Sequence, residues 1–106
     1  METKDMKDLL ESVQGFQDKV TYFQWPINEA PALPFVCFFS TEDRNFAADN
    51  INYYRRPRWA VELYTRNRSL ATEKLFEDAF FEAGLFYRKD AEYLQDERCW
   101  MVVFTV

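Results

Sequence analysis

At 106 residues the chain holds one core and is too short for two. A net charge of −5 excludes a general nucleic-acid binder, and the absence of histidine removes the commonest metal ligand and general base. Eleven Phe, six Tyr and three Trp are more rings than one small core hides, so some are expected at contacts with other subunits.

The charge is segregated. From Arg44 to Arg68 six arginines stand against Asp49 and Glu62, a local +4, which leaves −9 on the rest of the chain. Such separation suits pairing between unlike faces. Cys37 and Cys99 fit no zinc spacing and read as small buried hydrophobes of a reduced compartment, with a disulfide between neighbouring strands as the other reading. The charged, periodic start METKDMKDLL is no signal peptide. No apolar run approaches the ~20 residues of a membrane span.

In chain order, residues 4–19 predict a helix capped by Thr3, with Met6, Leu9, Leu10, Val13 and Phe16 on one stripe and Gly15 as a weak point in the last turn. Residues 20–25 predict a strand stopped by Pro26, and 26–34, with three prolines, a restricted loop. Residues 35–40, FVCFFS, read as a central strand covered on both faces. The polar stretch 41–50 follows. Its Phe46 is either an anchor for a partner or a ring folded back on its own domain.

The fifteen residues 51–65 would span ~50 Å if fully extended, too long for one flat strand here. They read as an arm that bends at Pro57 and then enters the sheet. In the strand part, Trp59, Val61 and Leu63 face one way and Ala60, Glu62 and Tyr64 the other. A second helix, 69–84, is capped by Ser69 and stopped by Gly84. Its buried face is expected to hold Ala71, Leu75, Phe76, Ala79, Phe80 and Ala83, with Glu73, Glu77, Asp78 and Glu82 mostly opposite. Strands near 85–93 and 97–106 close the chain as an antiparallel hairpin around Gln95-Asp96-Glu97. The expected fold is a single α+β domain over 1–106, an antiparallel or mixed sheet of about four to five strands with two helices packed on one face.

No catalytic constellation stands out. The only glycines are Gly15 and Gly84, so there is no phosphate loop, and the adjacent carboxylates Glu42/Asp43 and Asp96/Glu97 diverge in turns. Tyr53, Tyr54, Trp59 and the neighbouring arginines could stack bases, but the overall acidity argues for a protein contact. The candidate interface residues are Phe46, Asn50, Tyr53, Tyr54, Arg55, Arg56, Arg58 and Trp59.

Four stretches carry a family resemblance: Leu33-Pro34-Phe35, Asn45-Phe46-Ala47-Ala48-Asp49-Asn50, Glu62-Leu63-Tyr64-Thr65 and Ala83-Gly84-Leu85-Phe86-Tyr87. With them the chain from residue 33 onward resembles the tail terminators of siphophages and prophages of Gram-positive bacteria, also called tail completion or tail-to-head joining proteins. The arm segment Arg55-Arg56-Pro57-Arg58-Trp59 is richer in arginine and aromatics than that pattern.

The resemblance implies a structural virion protein of the tail and neck, assembled in the host cytoplasm, with no cofactor and no catalysis. It implies a homo-hexameric ring that caps the tail-tube protein and presents a surface to the head connector or stopper, while DNA passes through the lumen without specific binding. Another head–tail adaptor or stopper would share this composition. From a different class, a small acidic regulatory protein that binds a host protein would also fit.

Overall fold

The computed structural model describes residues 2–41 and 58–106. In chain order the elements are α1 (Thr3–Glu11), β1 (Val20–Tyr22), β2 (Phe35–Ser40), β3 (Trp59–Thr65), α2 (Leu70–Glu82), β4 (Arg88–Leu94) and β5 (Cys99–Thr105). The five strands form one sheet in the order β1-β2-β3-β5-β4. The β1–β2 pair is parallel, and the other three pairs are antiparallel, so the sheet is mixed. The fold is α+β, as the element pattern predicts.

Alternation builds the core. Register sets Val36 beside Leu63 and Phe38 beside Val61. It sets Leu63 beside Val102 and Val61 beside Phe104. Their shared face packs on Met6 and Leu10 of α1 and on Phe76 and Phe80 of α2. Both helices therefore cover the same face. Phe16 meets Phe76 edge-on with ring centroids 4.8 Å apart, and Phe80 meets Phe104 at 5.4 Å, separations at which aromatic pairs attract beyond their burial.

Several boundaries differ from the sequence expectation for local reasons. Glu2, not Thr3, occupies the N-cap of α1, and its N–H donates to Asp5 Oδ2 at 2.9 Å. The helix ends at Glu11 instead of Lys19. Beyond it Val13 N–H reaches Leu10, and Phe16 N–H reaches Val13, in tight successive turns, and Gly15 sits at φ +91°. The apolar stripe survives this break, because Val13 and Phe16 stay buried. Strand β1 stops at Tyr22, where Phe23 takes φ +70°, a costly conformation for a bulky residue, while donating its N–H to the Phe38 carbonyl. Strand β4 starts at Arg88 because the residues before it finish the ending of α2. Of the proposed 51–65 arm, the described part is Arg58 onward. Thr41 N–H donates to the Arg58 carbonyl at 2.9 Å, which sets these two described residues side by side.

The buried face of α2 is rotated relative to the expected one. Glu73, Phe76 and Phe80 are buried, whereas Leu75, Ala71 and Ala83 are exposed. An acid takes a core position because two cations reach it there.

Candidate interaction surface

Of the predicted interface residues, Phe46, Asn50, Tyr53, Tyr54, Arg55 and Arg56 lie outside the described residues. Arg58 is exposed at the root of that segment. Trp59 corrects the expectation. It is 5% exposed, belongs to the core and packs against Phe38 at 6.0 Å, since strand alternation puts it on the helix-covered side with Val61 and Leu63. The alternation was visible in the sequence. Its conflict with a contact role for Trp59 is settled by which face the helices cover.

The titratable groups are held rather than activated. Glu73 is 1% exposed and bridges Arg68 (2.8 Å) and Lys89 (3.1 Å), and Lys89 also pairs with Glu77 at 2.8 Å. Burial alone would raise the Glu73 carboxyl. The hydrogen bonds and charges of Arg68 and Lys89 outweigh it and hold the group below the ordinary carboxylate range. Arg68 also lies over the Trp100 ring at 5.4 Å.

On the opposite face of the sheet the Tyr64 hydroxyl donates to Glu62 at 2.9 Å, and burial with the Glu62 charge pushes the phenol well above its usual range. Burial pushes the Cys37 thiol up to about 11, with Glu62 adding to it. Such a thiol stays protonated at neutral pH and is a poor nucleophile. Cys37 and Cys99 are both free thiols. They sit on strands separated by β3, with Cys37 level with Val103 across the sheet and so four residues from Cys99. Among the described residues no group of His, Cys, Asp or Glu could hold a metal ion, and no helix is long and apolar enough to cross a membrane.

What the described surface does offer is exposed apolar side chains. Two flank the end of α2. Gly84 N–H donates to the Phe81 carbonyl at 3.0 Å and Leu85 N–H to the Phe80 carbonyl at 2.9 Å, the paired bonds of a Schellman ending, with Gly84 at φ +73°. The ending turns Leu85 inward against the core. Tyr87 turns toward Phe80 and Phe104 at 5.9 and 5.8 Å. Phe81 and Phe86 are left 81% and 92% exposed. A second exposed group, Phe23 and Ile27, follows β1 at the other edge of the sheet. In the sequence Ala83–Tyr87 carries the end of the helix, its glycine stop, the start of a strand and a family motif, with no mark of a surface. The pattern that marks it as a surface is a helix-stopping glycine, one apolar residue to staple the turn, and then a further Phe with no inward position left.

Comparison with family models, curated proteins and solved structures finds no match to this chain.

Proposed function

We propose that this chain is an assembly subunit without catalytic activity, a tail terminator that forms a ring, caps the tail tube and joins it to the head connector. The observation that carries this reading is the exposure of Phe81 and Phe86. Aromatic rings of this kind anchor protein–protein contacts, and each withholds a large apolar area from any core of its own chain. Two further features support it. The motif Ala83–Tyr87, part of the resemblance to tail terminators, is the turn that presents Phe86. The strongly acidic remainder of the sequence suits a channel from which DNA does not stick. Assembly would take place in the host cytoplasm and the finished ring would sit in the virion neck.

The test uses the purified protein with a tail-tube protein encoded in the same genome. Electron microscopy is expected to show density capping one end of polymerised tubes, and removal of the gene to give tails of uncontrolled length. Tubes left uncapped together with tails of normal length would refute the reading. Binding to the head connector alone would reassign the chain to a stopper or adaptor.

A further inference from the structure

We infer that β4 pairs edge to edge with the β4 of a second copy of this chain, antiparallel about a twofold axis at Asp90. β4 closes one side of the sheet, and among the described residues no strand flanks it beyond. The ladder fixes which way its backbone points. Val106 and Trp59 exchange both backbone hydrogen bonds, so Trp100, Val102 and Phe104 bond toward β3, and Cys99, Met101, Val103 and Thr105 toward β4. Register then turns the backbone groups of Arg88, Asp90, Glu92 and Leu94 toward β5. Those of Lys89, Ala91 and Tyr93 point out of the edge. Proteins blunt such edges with bulges or prolines, but β4 pairs without a break from Arg88 to Leu94 and holds no proline or glycine. Arg88, Asp90, Ala91, Glu92 and Tyr93 are exposed. Residues 42–57 start and end beside Thr41 and Arg58, with β3 and β5 between that point and this edge. At strand spacings, a path along Lys89–Tyr93 and back would take ~60 Å of chain, more than the ~53–58 Å that these sixteen residues span at full extension.

Charge identifies the occupant and its register. Centred on Asp90, the pairing sets Arg88 of each copy opposite Glu92 of the other, so two unlike pairs form. It sets Lys89 opposite Ala91, and Tyr87 opposite Tyr93, rings that are 38% and 44% exposed in the single chain. The one like pair is Asp90 against its own copy, and Arg88 stands 3.5 Å from Asp90 to offset it. The neighbouring registers are worse. Centred on Ala91, Asp90 would meet Glu92 twice; centred on Lys89, that lysine would meet itself. A twofold contact is complete at two copies. It therefore stands apart from the ring contacts proposed above and does not depend on them.

Sedimentation velocity on the full chain tests this, with concentration raised to roughly 1 mM so that even a millimolar contact registers. Wild type is expected to dimerise. Ala91→Pro is expected to be monomeric, since the Ala91 N–H faces outward and proline there removes no bond to β5. Circular dichroism will verify its fold. Two exposed charge reversals test the register without touching the backbone. Arg88→Glu alone and Glu92→Arg alone each replace both unlike pairs by like ones and are expected to weaken pairing by roughly tenfold or more. An equimolar mixture of these two variants is expected to pair again, one chain of each kind, and a single chain carrying both changes is expected to dimerise as wild type does. A wild type monomeric throughout, association that survives Ala91→Pro, or reversed variants that do not pair when mixed would overturn the inference. Capping of tail tubes by a monomeric Ala91→Pro protein is expected, because the ring reading uses other surfaces.

Discussion

A buried hydroxyl without a partner is a small defect with a measurable size. Thr65 is 5% exposed, and its Oγ1 finds no hydrogen-bond partner among the described residues. An unmet buried polar group costs about 1–3 kcal/mol, and exchanging it for an apolar group of the same shape removes that cost. Thr65→Val is therefore expected to stabilise the protein by about 1 kcal/mol, a rise of roughly 4 °C in melting temperature by calorimetry. A lower or unchanged melting temperature would mean that the hydroxyl is satisfied. Sequence could not single out this position, since a threonine closing an alternating strand is as often wet as dry. Trp59 was the reverse case. Its place in the alternation is legible, whereas the neighbouring arginines point toward the surface.

Among the elements, α2 shows what periodicity can and cannot deliver. Ser69 as cap and Gly84 as stop were legible because each answers a backbone requirement: Ser69 Oγ accepts the Thr72 N–H at 3.2 Å, and Gly84 adopts a left-handed φ. The rotation of the buried face was not, because it depends on Arg68 and Lys89 arriving from the preceding turn and from β4. A carboxylate so placed is stable only with its partners. Arg68→Met with Lys89→Met is expected to cost about 3–5 kcal/mol by stranding the Glu73 charge. Adding Glu73→Leu is expected to restore most of it, both read from urea midpoints. A triple variant no more stable than the double would refute this account of α2. Helix α1 ends at Glu11, short of what its stripe predicts, because the stripe runs on through Val13 and Phe16. Side chains keep their burial there while the backbone has already turned.

For the molecule as a whole, these groups bound the pH range of stability from both sides. Glu73 is depressed when folded, so its contribution is complete above the ordinary carboxylate value, ~4.3, and is lost as pH falls through the folded one. Cys37 is raised to about 11. Its contribution is present below the ordinary thiol value, ~8.5, and drains as pH climbs toward the folded one. Urea midpoints are expected to hold level through neutrality, fall in acid, and fall again from about pH 8.5 to 10, below the ordinary tyrosine range. The alkaline slope should flatten in Cys37→Ala, and a slope indifferent to that change would remove the thiol from the account. The α+β class, the closing hairpin and the two helices on one face were legible at this scale, since each follows from strand alternation, helical periodicity and short turns, while the sheet stayed open between antiparallel and mixed. The parallel pairing of β1 was not, because nothing local sets the direction in which a three-residue strand docks.

Strand β5 is the last element in the chain and lies second from the edge of the sheet, between β3 and β4. Its ladder with β3 continues past Thr105, where Val106 and Trp59 exchange both backbone hydrogen bonds. During synthesis, a nascent chain grown only to Glu97 already contains β3 and β4 but nothing to join them. It exposes the apolar side chains of β3 beside two unpaired strand edges, the kind that invite wrong partners. The sheet can close only when residues through Thr105 have cleared the ribosome. A message truncated before β5 would therefore yield a sticky fragment for the chaperones and proteases of the cell, never a shorter working protein.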